Sequence, residues 1–420
     1  MSIPSSPRRP LSAPPATPAD DHQERPRSTA SSSFHGESVG RHIGEIATPA
    51  LIVDANRIQR NAEAMTARAH LLGVKLRPHL KTCQSLPVAN LLLGEDWDTA
   101  AAATLMDVRI YFEAGLKNIR YTSPFAPTSV AAVAPLIREG LHFEAIVSDQ
   151  DLAALLGLEA KRHGVVLNLV IELTVQNGER SGVDHGSEAF IALAKFIDQH
   201  PHLALVGIYA DASAAAGHEE RAKRIAAIEH HRETLAEAQK TLAGIGISVG
   251  TVSIGSTPAL TEALSLNGVT EACAGLYGFQ DLEQHRAGLA RLNEIAITVL
   301  ATVIQHCDKT GRIFIDAGSL TLAQDACDSY PDKEHGFGLV TSVHDASPLG
   351  PGDIVVTSFS QEQGVIARRN GEPVPTDELP VGARIRILPN HACVTVAVHR
   401  GYHVVSADGT VTDYWPRTGS

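Results

Sequence analysis

Paired cysteines, long apolar runs and an excess of basic charge are all missing from this 420-residue chain. Its five cysteines (Cys83, Cys273, Cys307, Cys327 and Cys393) are odd in number and scattered, with no CxxC spacing. That argues against a disulfide framework and for a reducing cytoplasm. No apolar stretch approaches the roughly 20 residues needed to span a bilayer. A formal net charge of −12 and a pI near 5.9 argue against a nucleic-acid or anionic-membrane surface. Neither GxGxxG nor GxxxxGKS/T follows any strand-like run, so a nucleotide-binding fold gains no support.

What is present begins with a segment set apart by composition. Residues 1–45 are rich in Pro and Ser and nearly free of large apolar side chains. Such a stretch cannot bury enough surface to order itself, and the reading is a disordered tail. It lacks the apolar core of a secretory signal, and Asp20, Asp21 and Glu24 weigh against an organelle transit peptide.

From about residue 49 apolar strands alternate with amphipathic helices. "TPALIVD" gives a short strand and an Asp54 that can cap a helix with Ile58, Ala62, Met65 and Ala69 on one face. Strand candidates then recur: "VKLRPHLK", "WDTAAAAT", "NIRYTS", "FEAIVSD", "LNLVIELTV", "LALVGIYA", "VGTVSIGS" and "CAGLYGF". About eight strand–helix units in roughly 240 residues are the mark of a (β/α)8 barrel, with a doubly wound open sheet as the runner-up. The barrel is placed at 46–292. Beyond residue 293 helices give way to strands separated by Gly, Pro and Asp turns, so 293–420 reads as a mostly β domain.

Polar residues collect where the barrel strands end, which is where barrel enzymes build active sites. They are Lys81 in "RPHLKT", Arg180 in "NGERSG", Tyr209 and Asp211 in "GIYAD", Gly255, Ser256 and Thr257 in "SIGST", and Tyr277 and Asp281 in "GLYGFQD". A lysine, an arginine and a Gly-Ser-Thr turn before a helix suggest an anionic cofactor, because the turn offers backbone N–H groups and two hydroxyls. An ordinary helix cap is the plainer account of that turn. In the second domain "LPNHACVTV" reads as a strand, which puts His391 and Cys393 on one face as half of a zinc-type site. A buried His and Cys without metal fits that pattern equally well.

Taken together, "RPHLKT", "GIYA", "GSTP", "GLYGFQD", "DAGSLTL", "SFSQEQG" and "PNHAC" make the chain resemble the D-serine dehydratase and D-threonine aldolase family. Its members are fold-type III pyridoxal-phosphate enzymes with an alanine-racemase-like barrel and a β domain. The resemblance runs from about residue 46 to 405. It implies that Lys81 is the Schiff-base lysine and that Arg180 contacts the phenolic oxygen of pyridoxal 5'-phosphate. It implies that Ser256 and Thr257, after Gly255, cradle the phosphate, with Tyr209 and Tyr277 beside the cofactor. His391 and Cys393 match the divalent-metal pair of the dehydratase branch, with zinc the expected ion; the aldolase branch more typically has His-x-Asp. The implied reaction is β-elimination from a D-3-hydroxy amino acid to a 2-oxo acid and ammonia, in a homodimer. Retro-aldol cleavage to glycine and an aldehyde is the alternative, and a racemase or a non-catalytic pyridoxal-phosphate protein the further ones. Cys83, Asp211 and Gln363 stand where the family often has histidine, which bears on the substrate more than on the cofactor.

Overall fold

The computed structural model describes residues 37–418, apart from positions 96, 176–180, 219, 308, 323–335, 345, 350–351, 371 and 375. Strand β1 (Ala50–Val53) comes first. Eight strands then form one parallel sheet: β2 (Lys75–Pro78), β3 (Thr99–Ala102), β4 (Asn118–Pro124), β5 (His142–Val147), β6 (Leu167–Leu173), β7 (Leu203–Asp211), β8 (Thr251–Gly255) and β9 (Glu271–Ala274). Their order is β2-β9-β8-β7-β6-β5-β4-β3. Past the ends of the ladder, His79 forms an isolated parallel bridge with Ala101, and Leu80 N donates to Ala101 O at 2.8 Å. The sheet is therefore a nearly closed barrel, as the strand–helix alternation led one to expect. β6 carries almost no exposed residue, because a helix covers its outer face and the lumen its inner one.

The lumen holds a layer of buried charge. Arg77 on β2 and Arg120 on β4 face Glu144 on β5 and Glu271 on β9, with four Arg–Glu contacts of 2.8–3.2 Å. Ser253 on β8 donates to Glu271 at 2.8 Å and accepts from Arg120 at 2.9 Å. Burial alone would push both carboxyls up. The two guanidiniums outweigh it and hold Glu144 and Glu271 below the usual carboxylate range. A depressed folded pKa gives stability that is present above the unfolded value of about 4.5 and lost as pH falls through the folded one. Thermal midpoints should therefore hold between neutrality and pH ~5 and decline in stronger acid. Arg120→Met should cost about 3–5 kcal/mol, since it leaves two buried carboxylates underpaired. A midpoint unchanged by that substitution in a urea titration would show the layer to be neutral filler.

The remaining strands build a nine-stranded sheet: β10 (Ile297–Cys307), β11 (Arg312–Ile315), β12 (Leu339–Ser342), β13 (Ile354–Phe359), β14 (Gly364–Arg368), β15 (Arg384–Leu388), β16 (Gly401–Val405) and β17 (Val411–Pro416), joined by β1. This corrects the reading of "TPALIVD" as part of the barrel segment. β1 lies antiparallel to β10 (Ala50↔Leu300) and parallel to β16 (Ile52↔His403). Strand–helix periodicity cannot tell which sheet a strand will join, so only tertiary pairing decides it. The helix after β1 forms as expected: Asp54 caps it by accepting from Arg57 N, and Ile58, Ala62, Met65 and Ala69 are its buried face.

The tail boundary at residue 45 also moves. Residues 1–36 lie outside the described residues, but Ile43 and Ile46 are buried with Ala50, Ile52, Leu300, Val405 and Val411. Gly40 N donates to Val411 O, and His42 bridges to Thr410. Two isoleucines among polar neighbours are too weak a pattern to mark this edge segment. A chain begun at Glu37 should keep its melting temperature. One begun at Ala47 should lose about 1.5–3 kcal/mol for each isoleucine no longer buried. Equal melting curves for the two would refute the packing role.

Candidate active site

Lys81 follows β2 at the mouth where the barrel strands end, and its side chain is exposed. The turn beneath it is fixed from inside. Lys81 N donates to His79 Nδ1 at 3.3 Å, which leaves Nε2–H to face Thr122 Oγ1 at 2.9 Å. Buried His79 thereby sets the backbone from which the lysine projects. Gly275 is required opposite it, because a Cβ there would lie 2.4 Å from His79 O. Two residues beyond the lysine, burial pushes the Cys83 thiol up to about 12, so that cysteine is an inert packing group. Gln84 then adopts φ 42°, a left-handed conformation that side chains rarely take.

Around the same mouth, Tyr209 at the end of β7 donates to Asp211 Oδ2 at 3.1 Å, and Asp211 Oδ1 accepts from Ser213 N. Gly255 ends β8, where a Cβ would sit 2.4 Å from Tyr209 Oη. Ser256 and Thr257 follow at the start of the Thr257–Glu262 helix, and Ser256 caps it through no side-chain bond. Ser256 Oγ and Tyr277 Oη are buried hydroxyls with no partner among the described residues. Unmet buried hydroxyls are costly, and a phosphate between strand ends is the kind of group that satisfies them. The residues present thus fit an anionic cofactor. Arg180 lies outside the described residues.

The segment carrying His391 and Cys393 corrects the strand expected over 388–396. β15 stops at Leu388, and Ala392–Ala397 is a short helix with His391 as its N-cap. The β-branched run "CVTV" favours a strand locally, but the helix start is held by a distant carboxylate: Asp281 Oδ2 accepts from Ala392 N at 3.0 Å. The Oδ1 of the same aspartate accepts from Gln284 N. Fully buried, Asp281 is pushed up to about 7, with His391 opposing. The turn keeps the two metal-type side chains together. Burial would lower His391, yet the bond to Cys393 and the carboxylates of Asp281 and Glu283 raise it to about 9. Ligand atoms of Asp281, Glu283 and His391 lie within 4.8 Å of one another. Glu283 Oε2 stands 3.6 Å from His391 Nδ1, a placement suited to orienting a ligating imidazole. With their protons displaced by a metal, imidazole, thiolate and carboxylate form a donor set that fits a divalent ion.

The two clusters touch. Thr82 Oγ1, next to Lys81, is 3.2 Å from Cys393 Sγ. Sequence reasoning passed over Thr82 and Glu283 and gave Asp281 no role beyond its place at a strand end. Asp281 carried a signal in its "QD" at a strand end; Glu283 and Thr82 gain meaning only from contacts about 100 and 311 residues away.

The barrel, its companion sheet and the lysine at the mouth define an alanine-racemase-like enzyme. The alanine racemase N-terminal domain family matches residues 53–282, and the serine dehydratase domain family matches residues 296–405. The D-threo-3-hydroxyaspartate dehydratase of Delftia sp. is 33% identical over 374 residues, covering 88% of this chain and 97% of that protein. The D-serine dehydratase of Dictyostelium discoideum is 28% identical, over 88% and 96%. Among solved structures, a Cys→Ala variant of D-threo-3-hydroxyaspartate dehydratase in a metal-free form superposes with a TM-score of 0.85 at 31% identity, covering 90% of this chain and 98% of that one. The chain belongs to this family of serine-dehydratase-type, alanine-racemase-like lyases.

Proposed function

We propose that the protein eliminates water from a D-3-hydroxy amino acid, such as D-serine or D-threo-3-hydroxyaspartate; the enamine released tautomerises to an imine, which water hydrolyses to a 2-oxo acid and ammonia. The observation that carries this reading is the contact between Thr82 and Cys393, which sets the lysine turn against the His–Cys pair. The names of the relatives support it.

When bound, pyridoxal phosphate supplies an electron sink at the substrate's α-carbon, and a divalent metal supplies a Lewis acid for the β-hydroxyl. The chain's own residues do the rest. Lys81 would hold the cofactor, and its amine would take the α-proton of the substrate. Ser256, Thr257 and Tyr277 would bind the phosphate, and the family resemblance assigns the phenolic oxygen to Arg180. Tyr209, held by Asp211, would border the ring. His391 and Cys393 would hold the metal while Glu283 would orient the imidazole. A thiolate beside an imidazole favours zinc over the harder ions. We place the enzyme in the cytoplasm as a homodimer, on its scattered cysteines and its fold.

Among the described residues no helix is long and apolar enough to cross a membrane. The test is a panel of D-3-hydroxy amino acids assayed for both product pairs. Ammonia and 2-oxo acid are expected; glycine and an aldehyde would move the protein to the retro-aldol reaction.

A further inference from the structure

We propose that Arg417 is a positioning residue, clamping the lysine turn to the helix that bears the metal pair. The inference rests on the roles proposed for Lys81, His391 and Cys393. β17 delivers Arg417 to the seam between the two clusters, where its backbone N donates to Arg400 O at 2.9 Å. One guanidinium nitrogen, Nη1, donates to Ala397 O and His399 O, both at 2.8 Å. Ala397 is the last residue of the Ala392–Ala397 helix and His399 lies just past its C-cap, Val398, where backbone acceptors lack helical partners. The other nitrogen, Nη2, donates to Gln84 Oε1, three residues from Lys81. A single planar fork thus grips both halves of the site.

Neighbouring bonds fix the Gln84 end. Thr418 N donates to Gln84 O at 2.6 Å, and Thr418 Oγ1 donates to Asp107 Oδ1 at 2.5 Å. Buried Asp107 also accepts from Gln84 Nε2 at 3.2 Å. Tyr402 Oη donates to Cys83 O in the same turn. Gln84 sits at φ 42°, a backbone state that persists only where surroundings over-determine it. The purpose of such a costly turn lies one contact away: Thr82 must meet Cys393 for the lysine and the metal to act on adjacent substrate atoms. Because Arg417 bonds the helix at its far end, it sets the distance between Thr82 and Cys393 without touching substrate.

Arg417→Ala, Arg417→Lys and Arg138→Ala should be compared as holoenzymes. Arg138 makes the same kind of arginine–carbonyl bond, to His163 O, far along the chain from both clusters. Zinc affinity, read by chelator competition without substrate, should fall at least roughly tenfold in Arg417→Ala, and kcat roughly 10–100-fold with KM little changed. Added guanidinium should restore part of both. Arg417→Lys should fall between, since an ammonium cannot fork. Arg138→Ala should match the unmodified protein. Zinc affinity and kcat within twofold of the unmodified protein in Arg417→Ala would overturn the clamp. So would losses that guanidinium leaves untouched. Should Arg417→Ala fail to fold, Arg417→Lys is judged on the same two readouts. Failure of every substrate would sink the proposed reaction and leave zinc affinity to judge the clamp. Failure of the unmodified protein to bind zinc would sink the metal reading, and cofactor affinity at Lys81 would then decide.

Discussion

Lys81→Ala is expected to abolish turnover, by roughly ten-thousand-fold or more, because one side chain is asked both to hold the cofactor and to move the α-proton. The fold should survive the change. Lys81 is exposed at the barrel mouth, so its truncation opens no cavity, and the turn is held by the His79 bond to the Lys81 backbone. Borohydride reduction of the unmodified protein should fix the cofactor on the peptide containing Lys81. Label at another lysine, or a well-folded Lys81→Ala protein with ordinary turnover, would overturn the assignment.

Metal removal should be nearly as damaging. Hydroxide is a poor leaving group, and Lewis-acid help is worth about 4 kcal/mol, on the order of a thousandfold in rate. Chelation and Cys393→Ala should therefore both stop ammonia release. Neither should bleach the cofactor, since the groups proposed to hold it, Lys81, Ser256 and Tyr277, are not metal ligands. Cys393→Asp should keep partial metal binding with a harder donor and shift product from 2-oxo acid towards aldehyde. Full turnover by metal-free protein is the result that would end this account.

Much of this was legible in the sequence, for physical reasons. The eight barrel strands announced themselves through apolar runs spaced by amphipathic helices, and the clustered motifs pointed to both halves of the candidate site. Pairing partners were not legible. β1 resembles a barrel strand in every local respect, yet its hydrogen bonds go to Leu300 and its neighbours in the other sheet. The "CVTV" run carries strand propensity, yet the carboxylate of Asp281, 111 residues away, caps it into a helix. Ile43 and Ile46 needed β16 and β17 to become core. Arg417 lies in none of the motifs singled out in the sequence. In each case the deciding contact is long-range, and no window of sequence contains it.

The placement of β1 has a consequence for how the protein is made. About 240 residues separate Val53 from Ile297, its pairing partner on β10. At a synthesis rate of about 5–20 residues per second, the apolar "ALIV" segment emerges on the order of 10–50 seconds before any strand that can cover it. For that interval a sticky tetrapeptide is tethered to a barrel still being synthesised, whose last strand ends only at Ala274. Ribosome-stalled chains that end before residue 297 should be cleaved readily between residues 50 and 53, and should recruit holdase chaperones. Chains extended beyond residue 405, which includes β16, should resist both.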